Sequence, residues 1–245
     1  MKWAVVDSSG TIPTADLLAY AAAQQRQLRE HLAACYDGDG AYDTVRVIAS
    51  EAELATDESP IRIQPTAPDM NTLGVHDRLP DGRPACNVYL DLVAKFGDAW
   101  TAIASHEVLE ARIDPRLHAC VEFDDGTIWD REICDRVEAD SYGIDVGSSI
   151  VIMSNFNTPE CFEPPAVIPK IIVSTPSERG FYDWMGLSTY PNEIRPGGYA
   201  QIYDPRVGWT MRGAMRGYRA ELAMRGLSRG TRRARRELAL RARAK

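Results

Sequence analysis

A chain of 245 residues with 44% hydrophobic side chains has the size of one domain, or of one domain with an appendage. Its net charge of -7 hides an asymmetry: from Arg206 to Lys245 thirteen Lys and Arg face two acids, a net of +11, which leaves -18 on the rest. No apolar run long enough for a membrane span occurs, and MKWAVVDSSG lacks the stretch of a secretory signal, so a membrane partner and export are not expected.

KWAVVD (2–7) reads as a first strand. TADLLAYAAAQQRQLREHLAACYDGDG (14–40) reads as a long helix, capped by Thr14 or Asp16 and ended by Gly38 and Gly40. Leu17, Leu18, Ala21, Leu28 and Leu32 form its apolar stripe, and His31 reads as structural. DTVRVIAS (43–50) is a second strand, and residues 58–85 hold one or two short strands among turns, with Asp81-Gly82 a turn signal. ACNVYLDLV (85–93) is read as a further strand. Gly97-Asp98 then breaks and caps, and AWTAIASHEVLEARI (99–113) runs as a helix until Asp114-Pro115 stops it.

After Pro115 the pattern changes. Residues 117–144 are acidic and rich in turns, while GSSIVIMSNFNTPECF (147–162) and AVIPKIIVST (166–175) look extended. YPNEIRPGGYAQIYD (190–204) carries a Pro-Gly-Gly turn and a strand, and from about Val207 the chain reads as helical and arginine-rich. The expected architecture is α+β: a body over 1–150 with a mixed sheet and a metal-site helix, a β-rich extension of it over 151–205, and a basic tail over 206–245, helical or flexible. The five cysteines are scattered, with no C-x-x-C pair, so buried thiols are expected and not a zinc ribbon or a disulfide framework.

The chemistry concentrates in SHEVLEARIDP (105–115). Residues four apart on a helix share a face, so His106 and Glu110 can grip one cation from successive turns. Glu107 can point into the same cleft and polarise a metal-bound water, as in H-E-x-x-H enzymes, here with a glutamate as the second ligand. A further ligand is needed, and Glu132 and Asp135, three apart, are the nearest candidates, with Glu138 and Asp140 weaker. Asp114 more plainly ends the helix, and His76 and His118 have no partner at ligand spacing. One imidazole with two carboxylates neutralises zinc, the expected ion; an oxygen-rich shell also admits calcium or manganese. Bound water is less acidic at such a site than at three histidines, which favours a structural metal over a strong hydrolase. The competing reading is a solvated helix face bearing one histidine.

The element order before this helix is that of zincin-type metallopeptidase domains, where the last strand before the metal helix lies at the sheet edge beside the cleft. The chain also resembles the zincin-like proteins of tailed bacteriophages and prophages. The shared segments are SHEVLEARIDP (105–115), EICDRVEADSYGI (132–144), SNFNTPECF (154–162) and RPGGYAQIYD (195–204), so the likeness covers about 100–204. It implies a metal-binding zincin-like fold in a minor virion protein, in a virion or the host cytoplasm, with other virion subunits or further copies of itself as partners. It implies His106, Glu107, Glu110, Glu132 and Asp135 as the site. Arg136 stands where the family has proline, which leaves the local turn open.

The basic tail alternates arginine with Ala, Met, Leu and Gly, and four glycines weaken any helix there. Arg229, Arg232, Arg233, Arg235 and Arg236 are the expected contacts to DNA or to an acidic partner.

Overall fold

The computed structural model describes residues 1–69, 72–162 and 181–213. Five strands form the main sheet: β1 (Lys2–Asp7), β2 (Thr44–Ile48), β3 (Glu58–Gln64), β4 (Gly74–Arg78) and β5 (Pro84–Tyr89), in the order β2-β1-β3-β5-β4. All neighbours are parallel except β4, which runs antiparallel to β5. The period of two in β1 sends Trp3 and Val5 to one face and Ala4 and Val6 to the other. All four are buried, as expected of a strand between parallel neighbours.

The helices lie on the Trp3 face. α1 (Thr14–Arg26) continues through a π-helical stretch (Gln27–Leu32) into the short α2 (Ala33–Cys35). α3 (Leu90–Phe96) and α4 (Trp100–Ile113) follow β5. One core joins Trp3, Val5, Ile61 and Ile63 of the sheet to Leu28 and Leu32 of the first helix and to Ala104 and Val108 of α4. Burying each Leu or Ile contributes about 1.5–3 kcal/mol. The opposite face is thinner, with Ala4, Val6 and Ile48 as its buried cluster.

Several expectations change. The helix starts at Thr14 after Pro13, without a side-chain cap, so neither Thr14 nor Asp16 caps it. The Val-Tyr-Leu run does not stay extended to Val93. It turns at Tyr89 into α3, because the Asp91 carboxylate accepts the N–H groups of Ala67 and Leu92 and fixes the bend. Gly97, at φ 74, ends that helix, but the residue preceding α4 is Ala99, so Asp98 sits one position too early to cap it. The last strand before α4, β5, is not the edge. The Asp81-Gly82 turn folds the chain into a β4–β5 hairpin, and β4 takes the edge position.

The acidic stretch expected as turns contains β6 (Cys120–Glu122) and β7 (Ile128–Asp130), which join β10 (Tyr199–Asp204) and β11 (Gly208–Gly213) in a second sheet, β11-β10-β7-β6. β8 (Ser141–Val146) and β9 (Ser149–Ser154) make a separate hairpin. The start of the arginine-rich segment is therefore strand and not helix. Asp204 accepts the Arg206 N–H at 2.9 Å, which turns the chain back, and Trp209 meets Tyr203 edge-on at 5.6 Å. The extended segment expected over 166–175 and the tail from 214 onward, with Arg229, Arg232, Arg233, Arg235 and Arg236, lie outside the described residues. Among the described residues no helix is long and apolar enough to cross a membrane. The cysteines are thiols, four buried and Cys120 partly so.

Candidate metal centre

α4 is buried from Ile103 to Ala111 without a break, so its polar side chains have no solvated face. The solvated-helix reading of His106, Glu107 and Glu110 is thereby replaced: they are 7%, 5% and 1% exposed. His106 and Glu110 point toward the loop after β7, and Glu107 toward the edge strand β4. His106 Nε2 lies 3.3 Å from Glu110 Oε1 and 3.3 Å from Asp135 Oδ1. His76, on β4, places Nδ1 3.2 Å from Glu107 Oε2 and 3.3 Å from Glu110 Oε2, and Nε2 3.8 Å from Glu132 Oε2. Gly74 permits this approach, since a methyl there would meet Ile103 at 2.7 Å and Glu107 Oε1 at 2.8 Å.

Two groups with ligand-like spacing result, His106–Glu110–Asp135 and His76–Glu110–Glu132, every member buried. Tetrahedral metal bonds of about 2.0–2.2 Å put neighbouring donor atoms about 3.3–3.5 Å apart. Both His106 distances match that edge.

The loop that supplies Glu132 and Asp135 is pinned from three sides. Asp135–Val137 form a 3-10 turn. Arg136, fully buried, donates to the Asp130 carbonyl at 2.8 Å and lies 4.7 Å over the Phe162 ring. Its guanidinium is the side-chain anchor of this turn. Asn157 donates its N–H to Ile133 O at 2.6 Å, Asn155 to Asp140 O at 3.0 Å, and Ser154 to Ser105 Oγ of α4 at 2.7 Å. Gly198 lies against the Asp135–Arg136 backbone so closely that a methyl would collide with the Arg136 carbonyl, and Gly197 sits at φ 93. The four segments singled out in the sequence thus converge on one loop.

The electrostatics are those of a crowded, desolvated cluster. Burial works against a charged His106, but Glu110 and Asp135 outweigh it and hold the imidazole well above its ordinary range. Burial likewise opposes ionisation of Glu110, yet His106 and His76 keep it well below the usual carboxylate range. Asp135 is pushed well above that range by burial and by the charge of Glu110. Neither Asp135 oxygen has an aligned hydrogen-bond donor among the described residues.

Of the expected site residues, His106, Glu107, Glu110, Glu132 and Asp135 all meet here, although Glu132 faces His76 and not His106. His76 is the member that sequence spacing passed over. Its one signal was a histidine in an extended stretch ahead of the metal helix, and only the β4–β5 pairing brings it in. Glu138 and Asp140 do not join the cluster. With Asp98, Ile152 and Ser154 they line a cavity of about 210 Å³ that reaches His106. Asp114 turns away and accepts the Ala119 N–H at 2.8 Å, with His118 3.3 Å from its other oxygen.

No protein-family model, curated protein or solved structure matches the chain.

Proposed function

We propose that this chain is a zincin-like metal-binding structural protein of the phage type, a minor virion component in which a divalent cation, zinc by expectation, clamps the 131–140 loop onto α4. The observation that carries the reading is the burial of the ligand set: His106 lies 3.3 Å from both Glu110 and Asp135, and none of the three is more than 7% exposed. Deep burial of all three side chains suits an ion that holds the loop to the helix, while the fourth position of a tetrahedral site is the one that decides between a structural and a catalytic metal. Glu107 also lies against His76 at 3.2 Å, which suits a carboxylate engaged with a neighbouring side chain more than one that activates water. The zincin-like assignment draws on the resemblance and on the antiparallel edge strand beside the metal helix. The arginine-rich segment is assigned to a neighbouring subunit or DNA on its charge alone.

The cavity that reaches His106 favours a second reading, an HExxE metallopeptidase with Glu107 as the base. Metal analysis of the purified chain and a peptidase assay test both. The structural reading expects bound metal and no chelator-sensitive cleavage. Cleavage by the wild type that Glu107→Gln abolishes while the metal is retained would replace it with the second, and metal that persists in a His106→Ala, Glu110→Ala double variant would refute both.

A further inference from the structure

The carboxylate of Glu110 has one oxygen toward each histidine. Oε1 is 3.3 Å from His106 Nε2, and Oε2 is 3.3 Å from His76 Nδ1. Behind His106 stands Asp135, fully buried, with no donor aligned on either oxygen; behind His76 stands Glu132, also fully buried. We propose that the centre is built for two divalent cations bridged by Glu110, one held by His106 and Asp135 and the other by His76 and Glu132. The proposal rests on the metal reading above and extends it.

The chemistry of the cluster fits two ions better than one. One cation placed between His106, Glu110 and Asp135 is satisfied by one oxygen of Glu110, which leaves Glu110 Oε2, Glu132 and His76 as a second, equally buried donor set. A carboxylate that binds through both oxygens holds ions about 3.5–4 Å apart, the separation of two-metal sites. With Glu107, four carboxylates and two imidazoles meet in one buried cluster. Fully ionised, with neutral imidazoles, the four acids are balanced by two divalent ions and not by one. Glu107 then has a defined part. Its Oε2, 3.2 Å from His76 Nδ1, holds the imidazole in place between Glu110 and Glu132, the part a carboxylate plays behind a ligating histidine. The wider 3.8 Å gap between Nε2 and Glu132 suits a cation with longer bonds than zinc, such as manganese or calcium.

The test loads the chelator-stripped full-length protein with manganese(II) alone, counts bound metal by mass spectrometry and records its electron paramagnetic resonance spectrum. Two equivalents with a spin-coupled spectrum are expected. Glu132→Gln should bind one equivalent with an isolated-ion spectrum, and so should Asp135→Asn. The wild-type count does not depend on either variant folding. One equivalent in the wild type would overturn the two-ion proposal and leave the single-metal reading standing. Two uncoupled equivalents would overturn the bridge, and none would overturn the two-ion proposal, with the single-metal reading decided by the zinc content of the purified chain.

Discussion

α1 and α4 pack on the same face of the same sheet and both bury polar side chains, but they do so in opposite ways. The first helix and its π-helical continuation bury Gln24 and Gln27, which are neutral and closed into a chain. Tyr20 donates to Gln24 at 3.0 Å, Gln24 to Gln27 at 3.1 Å, and Gln27 to Ser154 O at 3.0 Å. α4 buries His106, Glu107 and Glu110 and gathers further charge around them. Amides can satisfy one another, because each carries donors and acceptors. Ionised carboxylates carry acceptors alone, so a cluster of them needs cations or protons from elsewhere. The first arrangement is complete as the chain folds; the second is balanced only by protons or a cation taken from outside the cluster.

That contrast predicts where metal matters. Stripping the protein with a chelator should lower stability by about 4 kcal/mol relative to protein at a free metal concentration about 1,000-fold above Kd. For a chain of this size the melting midpoint should fall by roughly 10 °C, measured by calorimetry. An unchanged midpoint would place α4 in the same class as α1.

Substitutions should separate the two helices next. Gln27→Leu breaks a closed neutral chain and leaves Gln24 without its acceptor, so it should cost about 1–3 kcal/mol equally with and without metal. Asp135→Asn should be destabilising by a similar amount in metal and neutral or stabilising in chelator, where it removes a buried carboxylate of raised pKa. Urea titrations of both variants in both conditions give the comparison. An Asp135→Asn effect that ignores metal would break it.

The smallest expected effect is pH dependence on the α1 side. His31 stacks on Trp184 at 4.3 Å and sits 2.8 Å from the Tyr142 hydroxyl. Burial, then the positive charge of Arg26, bring its pKa down to about 4, against an opposing pull from Glu30. The unfolded chain therefore takes up this proton first, and the contribution present above about pH 6.5 is lost as pH falls toward 4. Because the ring is partly exposed, the loss should be about 1 kcal/mol. It should appear as the difference between wild type and His31→Phe in urea midpoints at pH 7 and pH 5, which leaves the titration of the metal cluster common to both.

Much of the molecule was legible from local pattern. The short runs KWAVVD and DTVRVIAS marked β1 and β2, the Leu/Ala stripe marked the first helix, Gly97-Asp98 and Asp114-Pro115 bounded α4, and the His106–Glu110 spacing marked one face of a helix whatever surrounds it. These are properties of the backbone geometry of single elements, so residues close in the chain suffice to specify them. The change from strand to α3 at Tyr89, the strand in place of helix at Gly208, and the edge position of β4 were not legible. Each depends on a partner distant in the chain: the N–H of Ala67 on Asp91, Tyr199–Asp204 beside β11, and β5 beside β4. The centre divides in the same way. Helical spacing alone paired His106 with Glu110, and the Glu132–Asp135 spacing offered further ligands. His76 entered only when the hairpin folded against α4, and Glu132 turned out to face it, because a ligand set is defined by distances in space and the chain records only separations along itself.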